Sequence, residues 1–524
     1  MRQLIHYGVY IPNYQPVGLI LKYKNTRMQL DSEAEQMALA FAKKFGTDNM
    51  NDPVFVSNFL EDFAKKLGIK TACRVEDFDW GEFTAYLERE KRRRDSLSRE
   101  EKKKLAEERK KAREALKERY GYATVDGSKI VLQNWIVEPP CIFTSKGKNP
   151  MRGRWKRAVA RNEITLNLSE RPEGLEEGWK EIVWKSECMW IASWRNPLNG
   201  RMKYVWFSPN SKIRQNREME KWNKALELKS KIKDIEQKIR ENLGSKDENR
   251  RKLATVVYLI KESGMRVGDE RIAGEMGTVG CTTLKDQNLQ IDGNKVILDF
   301  VGKDYVQWHR EIVLPQKVIS NLKEFKEKAV EGIIFDGVNS QKVAKFLQEV
   351  VPGASAKTFR TMIAGETLKK AMEETRGKFD GGEFENMIRF KYINCAVARR
   401  LNHKRKLPDK FEEKLIKKEE RVNARKREYE SLIAKTDDGK ERAMKRIERA
   451  KLSYRKALLE YQLYKDVSEW NLNTSLSSYI DPRLVVDYAR RNGVNIGRLY
   501  SRSLREKFSW AIPDTLLEPR PQRL

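Results

Sequence analysis

The chain has 524 residues, in which 106 lysines and arginines against 76 aspartates and glutamates give a formal net charge of +30. A chain of this length is expected to form several domains, and so large a positive excess favours a polyanionic partner. The sequence has no apolar run of about 20 residues that could span a bilayer, and no N-terminal signal pattern. Composition therefore favours an intracellular protein that binds nucleic acid and excludes a membrane protein.

Zinc and ATP sites are not expected either. The five cysteines stand singly, there are three histidines, and the sequence contains no C-x-x-C pair and no Walker A string. Zinc sites use clustered cysteines and histidines, and an odd number of scattered cysteines is not a disulfide framework. We therefore predict no metal site and cysteines that stay reduced.

The N-terminal part, residues 1–121, is predicted to be a cap lobe with charged helices. Apolar residues at helical spacing indicate an amphipathic helix over about 32–45. Residues 80–120 are rich in lysine, arginine and glutamate and favour two solvent-exposed helices. Ser98, three residues before Glu101, predicts a capping box at the start of the second of them.

Two further domains are predicted in the middle of the chain. Residues 122–210 alternate apolar and polar residues and are rich in tryptophan and β-branched residues, which favours a β-rich domain. Residues 211–408 return mainly to helical patterns. A strand pair interrupts them, and its turn is predicted at Asp292-Gly293.

The clearest pattern lies in residues 409–468, where apolar residues recur at alternating spacings of four and three. A break near Gly439 predicts an antiparallel coiled-coil hairpin with its tip at that point. The other positions are densely charged, so the hairpin should project from the globular part. The last predicted domain, residues 469–524, contains the stretch TSLSSYIDPR around Tyr479.

Tyr479 is either an anchor for a C-terminal helix or a nucleophile. A phenol has a pKa of about 10, and a phosphodiester repels anions. Attack on DNA would therefore need arginines around the phosphate and a lysine or histidine that gives a proton to the leaving oxygen.

Five stretches supply these residue types: KESGMRVGDER (261–271), FVGKDYVQW (300–308), SAKTFRTMIAGETL (355–368), VARRLNHKR (397–405) and TSLSSYIDPR (474–483). They resemble the active-site segments of eukaryotic-type DNA topoisomerase I, the type IB enzymes. VEPPCIF, KYVWFSPNSKI, VGCTTL and LREKFSWAI also match, so the resemblance covers nearly the whole chain. It implies a form that lacks the long N-terminal extension of eukaryotic members.

The resemblance implies a catalytic role for five residues. Tyr479 would attack the phosphodiester, form a 3′-phosphotyrosine and free a 5′-hydroxyl. Arg266 and Arg360 would contact the non-bridging oxygens, and His403 would donate a further hydrogen bond to one of them. Lys303 would protonate the leaving 5′ oxygen. Each residue alone has an ordinary structural interpretation, but five in the family's order favour the catalytic one.

The fold and activity implied by the resemblance are equally specific. We expect a multidomain α+β protein, a C-shaped clamp on double-stranded DNA with a mainly helical catalytic core related to tyrosine recombinases, a β-rich core lobe and a protruding antiparallel coiled-coil linker. It would relax positive and negative supercoils by transient single-strand cleavage, controlled rotation and religation. It would act as a monomer on chromosomal DNA, in a nucleus or an archaeal nucleoid. ATP and metal would not be required, and Mg²⁺ would at most stimulate.

Further residues align with DNA-contacting segments of the family: Lys146, Trp190, Lys203, Tyr204, Lys221, Val267, Gly268, Asp269, Glu270, Arg271, Thr278, Ser355, Ala356, Lys357 and Arg421. Among these, Trp190 and Tyr204 could equally be core aromatics. Lys146 stands where the family usually has arginine, and Ser478 where it has asparagine. Because that arginine and asparagine help to hold camptothecin-type inhibitors, weak inhibition is expected.

Two other interpretations stay open. A tyrosine recombinase or integrase shares the chemistry, but it commonly carries histidine where Lys357 stands, and no sequence-reading motif such as helix-turn-helix is visible. A non-enzymatic chromatin or RNA-binding protein would use only the charge and the coiled coil. That interpretation would leave the five stretches as a coincidence.

Overall fold

The computed structural model describes residues 1–145, 149–268, 278–379, 381–408, 410–434 and 441–517. Within them, contacts divide the chain into two compact units, with the boundary between Arg214 and Gln215. The division into five domains made from the sequence stays a prediction. None of the described helices is both long enough and apolar enough to cross a membrane.

The α-helices are α1 (Ser32–Ala42), α2 (Pro53–Lys66), α3 (Gly81–Ser96), α4 (Arg99–Tyr120), α5 (Lys212–Ser230), α6 (Ile232–Leu243), α7 (Glu248–Ser263), α8 (Gln316–Glu327), α9 (Ser340–Gln348), α10 (Ala356–Glu374), α11 (Gly382–Arg400), α12 (Phe411–Ala434), α13 (Glu441–Val467), α14 (Leu472–Ser478), α15 (Pro482–Arg491), α16 (Ile496–Leu499), α17 (Arg502–Lys507) and α18 (Asp514–Leu517). The strands are β1 (Leu4–Ile5), β2 (Leu21–Tyr23), β3 (Thr26–Met28), β4 (Phe78–Asp79), β5 (Tyr122–Val125), β6 (Ser128–Gln133), β7 (Cys141–Ile142), β8 (Trp155–Lys156), β9 (Thr165–Asn167), β10 (Glu181–Val183), β11 (Trp190–Arg195), β12 (Met202–Phe207), β13 (Leu289–Asp292), β14 (Lys295–Gly302) and β15 (Val306–Val313).

The first unit contains a seven-stranded sheet with the order β1-β5-β6-β12-β11-β9-β10. The pairs are antiparallel except for β9 with β10. Alternating residues of these strands pack into one core that includes Leu166, Ile191 and Phe207. The strands expected for 122–210 are therefore present, and the sheet also takes in the N-terminal strand β1.

A second core of the first unit forms between helices α1 and α2 and is rich in aromatic rings. Phe41 stacks on Phe59 with ring centroids 4.1 Å apart, and such pairs add to the stabilisation from burial alone. The predicted amphipathic helix ends at Ala42 rather than Phe45. The chain leaves the helix through tighter turns there, and the ring of Phe45 still contacts Phe41 edge to face.

The capping box predicted for the charged helices is present. The amide of Glu101 donates to Ser98 Oγ over 3.1 Å, and the amide of Ser98 donates to the Glu101 carboxylate over 2.8 Å. These two bonds satisfy donors that have no partner inside helix α4. Of the residues of α3 and α4, Phe83 and Tyr120 are buried, in agreement with two solvent-exposed helices.

The second unit is mainly helical and carries the three-stranded sheet β13-β14-β15. The prediction of a strand pair was wrong, because the chain turns again after Gly302 and adds β15. The turn at Asp292-Gly293 was also misplaced by one residue. Asp292 pairs with Lys295, so Gly293 and Asn294 form the turn, and Gly293 takes the left-handed conformation with a φ of +57°.

Helices α12 and α13 pack against each other in opposite directions. Phe411, at the start of α12, stacks on Tyr464 near the end of α13, and Tyr429 stacks on Tyr454. The apolar positions that predicted a hairpin therefore do meet. The predicted tip at Gly439 lies outside the described residues.

Candidate active site

Tyr479 ends the short helix α14. The side chain of Asn471 caps the start of this helix by accepting from the amide of Thr474 over 3.2 Å, and the amide of Tyr479 donates to the carbonyl of Ser475. Asp481 then caps α15, whose first residue is Pro482, and proline at that position suits a helix start. The Tyr479 side chain is 7% exposed, so its position is set by the surrounding protein.

Arg360 contacts the phenol directly. Its Nη1 donates to Tyr479 Oη over 2.5 Å, and its guanidinium carbon lies 4.7 Å from the centre of the ring. The other two nitrogens are fixed by backbone, with Nε donating to the carbonyl of Gly264 over 2.9 Å and Nη2 to that of Leu401 over 3.2 Å. Helix α10 presents this arginine, and Ser355 caps the helix through the amide of Thr358. The fork is thus held rigidly beside the phenolic oxygen.

His403 also lies beside the phenol, with its ring centroid 5.0 Å from that of Tyr479. Its Nδ1 and the Ser475 hydroxyl are 2.8 Å apart, and its buried Nε2 has no protein partner. Burial, together with the charges of Arg360 and Arg266, lowers the pKa of His403 to about 3. The imidazole is therefore neutral at physiological pH, and if Ser475 donates to Nδ1, the proton sits on Nε2, which is free to donate to a ligand.

Arg266 and Lys303 line one cleft together with Gly264 and Asn402. The loop that carries Arg266 is fixed by backbone hydrogen bonds from residues 281 and 282 to the carbonyls of residues 266 and 267. Lys303 begins the tight turn between β14 and β15.

The charges around the phenol change its acidity. Burial by itself raises the pKa of Tyr479, but the positive charges of Arg360, Arg266 and Lys357 together outweigh it, so the pKa is lowered from its ordinary value. Such a shift favours the phenolate, which is the nucleophilic form. The structure thus brings the five predicted catalytic residues to one region of the second unit.

The other predicted DNA-contacting residues of the second unit lie in different surroundings. Lys357 is exposed at the first turn of α10, where Ser355 is the cap and Ala356 is buried. Helix N-termini attract phosphate. Val267 packs into the core, whereas Gly268 and Thr278 are partly exposed. In α12, Arg421 is exposed and pairs with Glu460 of α13 over 3.3 Å.

Lys221 is more enclosed than a lysine on an open DNA-binding face. Its ammonium donates to Glu218 over 2.8 Å and to the carbonyl of Ser478 over 3.4 Å. Burial lowers its pKa to about 8, although Glu218 opposes the shift. Lys507 holds the same end of α14 by donating to the carbonyl of Ser477 over 2.7 Å. Lys221 therefore contacts the residue that precedes the candidate nucleophile.

In the first unit, Trp190 is buried, whereas Tyr204 is 39% exposed and lies against it with ring centroids 5.9 Å apart. Lys203 pairs with Glu138 over 3.2 Å. Lys146, Asp269, Glu270 and Arg271 lie outside the described residues.

Sequence reasoning missed Ser475, Lys507 and Glu218. Ser475 stands four residues before Tyr479, on the same face of α14, so helical spacing was an available signal for it. Lys507 and Glu218 come from chain segments far from Tyr479 and gave no local signal.

Among the described residues, no three His, Cys, Asp or Glu side chains form a group that could hold a metal ion. The five cysteines are not paired in disulfides in the structure.

Family models of DNA topoisomerase I match nearly the whole chain. Residues 1–207 match the family model described as "Eukaryotic DNA topoisomerase I, DNA binding fragment", residues 210–436 match the one described as "Eukaryotic DNA topoisomerase I, catalytic core", and residues 451–516 match the "C-terminal topoisomerase domain". The two longer matches meet between residues 207 and 210, within eight residues of the boundary between the compact units.

Individual proteins that match nearly the whole of this chain belong to the same family. The chain is 29% identical to the human protein named DNA topoisomerase 1 over 97% of the chain and 70% of that protein. It is 28% identical to the rat protein of the same name, over 98% of the chain and 70% of the relative. It is 32% identical to the Arabidopsis thaliana protein named DNA topoisomerase 1 alpha, over 97% of the chain and 58% of the relative.

Proposed function

The chain belongs to the eukaryotic DNA topoisomerase I family and is a type IB DNA topoisomerase, and from this premise we propose that Tyr479 is the residue that attacks DNA. The observation that carries the proposal is the contact between Arg360 Nη1 and Tyr479 Oη. An arginine that bonds the phenolic oxygen stabilises the phenolate and is placed to hold the phosphate that the phenolate attacks.

The cleavage step conserves a phosphodiester bond. The phenolic proton of Tyr479 is lost to solvent, the bond from its oxygen to phosphorus forms, and the bond from phosphorus to the 5′ oxygen breaks. Lys303 gives a proton to that leaving oxygen. The product is a 3′-phosphotyrosine with a free 5′-hydroxyl, and religation is the reverse reaction. Because the energy of the bond is kept, neither ATP nor metal is required, and DNA torsion drives rotation between the two steps.

The surrounding cations would stabilise the transition state. Arg266 and Arg360 would contact the non-bridging oxygens, and the neutral His403 would add a hydrogen bond from Nε2. Each preorganised donor of this kind contributes about 3 kcal/mol, positioning contributes roughly 7 to 11 kcal/mol, and an acid contributes a factor of about 10² to 10⁴. These contributions are sufficient for cleavage without a metal ion.

For the whole protein we propose a monomeric C-shaped clamp on double-stranded chromosomal DNA, with a core related to tyrosine recombinases. Helices α12 and α13 would be its protruding coiled-coil linker. The stacked ring pairs between these helices support a coiled coil, and the net charge of +30 supports binding to the phosphate backbone. The compartment would be a nucleus or a nucleoid. Lys146, Trp190, Lys203, Tyr204 and the other aligned residues would contact the DNA.

A relaxation assay tests the activity and the nucleophile together. Negatively and positively supercoiled plasmids are incubated with the protein in EDTA and without ATP, and Tyr479→Phe is compared with Tyr464→Phe, a tyrosine of the hairpin. We expect relaxation of both plasmids by the unsubstituted protein and Tyr464→Phe, and none by Tyr479→Phe. Relaxation by Tyr479→Phe would overturn the assignment of the nucleophile, and no relaxation by any of the three would favour a protein that only binds nucleic acid.

A further inference from the structure

Arg310 lies among backbone carbonyls at the ends of two helices. It is on strand β15, its guanidinium carbon is 4.9 Å from the centre of the Trp308 ring, and its Nη1 donates to the carbonyl of Ser263, the last residue of α7. Its Nη2 donates over 3.0 Å to the carbonyl of Arg399. Both terminal nitrogens also lie 3.3 Å from the carbonyl of Arg400, the last residue of α11. One side chain therefore contacts the C-terminal ends of α7 and α11.

These carbonyls are a suitable environment for a half-buried cation. The last carbonyls of a helix have no partner inside it and form the negative end of the helix dipole. Burial, followed by the charge of Arg400, lowers the pKa of Arg310 to about 10, so the guanidinium stays charged at neutral pH. Five donors in a planar fork can satisfy carbonyls from two helices at once, whereas a single ammonium cannot match that geometry.

Two other arginines complete the junction. Arg400, at the end of α11, donates to the carbonyls of Glu262 over 2.7 Å and Lys261 over 3.0 Å. Arg360 contacts the residues that follow both helices, Gly264 and Leu401. The ends of α7 and α11 are thus joined by side chains as well as by packing. Arg310 is the member of the group that attaches strand β15 to them.

Each joined segment leads to a proposed catalytic residue. Arg266 follows the end of α7 by three residues, and His403 follows the end of α11 by three residues. Lys303 is at the turn between β14 and β15, on the same hairpin as Arg310. The described contacts of this hairpin with the cleft otherwise include one backbone bond, from the amide of Val279 to the carbonyl of Val301, and one long bond from Asn402 to the carbonyl of Gln307.

We propose that Arg310 is a positioning residue that holds the Lys303 hairpin in register with the two segments that carry Arg266 and His403. The inference rests on the proposed role of Lys303 as the acid of the cleavage step. Without Arg310 the hairpin keeps its apolar packing but loses its charged attachment to the helix ends. Displacements of about 1 Å in an active site can lower rates about a hundredfold. A displaced Lys303 should therefore slow the protonation of the leaving oxygen.

The test compares two leaving groups in single-turnover cleavage. One DNA substrate has the normal 5′ oxygen at the cleavage site, and the other has sulfur in its place. A thiolate leaves without protonation, so it removes the need for a positioned acid. The variants are Arg310→Met, Arg310→Lys and Lys303→Ala. Arg389→Met is the matched control, because Arg389 also donates to a helix carbonyl, that of Met372, but contacts Tyr488 and Asn492 rather than the catalytic cleft.

We expect Arg310→Met to cleave the oxygen substrate about 10- to 100-fold more slowly than the unsubstituted protein, and to cleave the sulfur substrate within about threefold of it. Arg310→Lys should lose less of its cleavage rate on the oxygen substrate and should also be restored by sulfur. If Arg310→Met does not fold, the comparison is made with Arg310→Lys only. Lys303→Ala should lose more of its cleavage rate on the oxygen substrate, and the sulfur substrate should again restore that rate. Arg389→Met should leave the ratio of the two rates unchanged.

Two results would overturn the positioning role of Arg310 and leave the acid role of Lys303 intact. Both require that the sulfur substrate restores the cleavage rate of Lys303→Ala. One is an equal loss of rate by the Arg310 variants on both substrates, which would indicate general damage to the site. The other is no loss on either substrate. A loss in Lys303→Ala that sulfur does not restore would instead refute the acid role of Lys303, and the positioning role of Arg310 would fall with it.

Discussion

At the scale of single residues, burial is the main cause of the lowered pKa of two histidines. His403 has a pKa lowered to about 3 mainly by burial, so its imidazole is neutral at physiological pH. His6, in the first unit, is 2% exposed and has a pKa lowered to about 4 by burial, which its bond to the carbonyl of Asn167 only partly opposes. Burial disfavours the protonated form of each histidine, so protonation of either side chain lowers the free energy of unfolding.

The stability of the first unit should therefore depend on His6. Its folded pKa lies below its ordinary value of 6.5, so its contribution is complete above pH 6.5 and is lost as the pH falls toward 4. Between pH 6.5 and 5 the loss should be about 2 kcal/mol. Urea unfolding at several pH values should show a flatter dependence for His6→Gln than for the unsubstituted protein. The control is the exposed His309→Gln, and an unchanged pH dependence in His6→Gln would contradict the prediction.

Ser478 predicts weak trapping by camptothecin-type inhibitors. Its hydroxyl is 3.3 Å from that of Ser477, so the position offers a short hydroxyl where an amide is usual in the family. Ser478→Asn should increase cleaved DNA at a fixed inhibitor concentration about fivefold, because one added hydrogen bond contributes about 1 kcal/mol. Ser477→Asn is the neighbouring control. Strong trapping by the unsubstituted protein, or no increase in Ser478→Asn, would show the prediction to be wrong.

The individual hydrogen bonds of the site were the feature that local sequence predicted least well. Nothing near Arg360 indicates that its fork bonds Tyr479, because the two residues are 119 positions apart. The resemblance to a family predicted that they belong together. It did not predict the carbonyl partners of Arg310 and Arg400, since these partners lie 47 to 139 positions away along the chain and no local motif marks them.

At the scale of elements, the end of α13 connects the hairpin to the site. Asp466 accepts from Tyr392 of α11 over 2.9 Å, and its carbonyl accepts from Arg399 over 3.1 Å. The amide of Asn471 then donates to the carbonyl of His403 over 2.7 Å. Motion of the hairpin should therefore reach both His403 and α14.

A variant lacking residues 415–462 should consequently religate at a rate at least about threefold different from that of the intact protein, because the anchoring of α14 changes. Religation is measured by adding a strand with a 5′-hydroxyl to a preformed covalent complex. Ile416→Ala, at an exposed hairpin position, should religate normally. Equal rates for the deletion variant and the intact protein would refute the coupling.

Elements with local signals were predicted well. The capping box of Ser98 and Glu101 and the contact between α12 and α13 were both predicted from spacings within a few turns. Strand β15 was missed as a separate strand because its separation from β14 depends on a tight turn at Lys303, where Tyr305 takes a positive φ of +56°. Tyrosine is not a residue that marks such a conformation.

At the scale of the whole molecule, the net charge of +30 predicts binding that depends steeply on salt. A protein that neutralises about 6 to 10 phosphates loses about a thousandfold or more in affinity between 50 and 200 mM salt. Lys357→Gln should reduce the slope of log affinity against log salt by about one. Lys370→Gln, an exposed lysine in the last turns of the same helix, should leave it unchanged. A slope near zero would contradict phosphate-directed binding.

The central claim is that the oxygen of Tyr479 forms the bond to DNA phosphorus. It is tested most directly by denaturing the protein during cleavage of DNA labelled at one end, digesting it, and identifying the modified peptide by mass spectrometry. The account predicts one adduct, on the peptide containing Tyr479, attached through a 3′-phosphate and absent from Tyr479→Phe. An adduct on another residue, or one attached through the 5′ end of the broken strand, would contradict it.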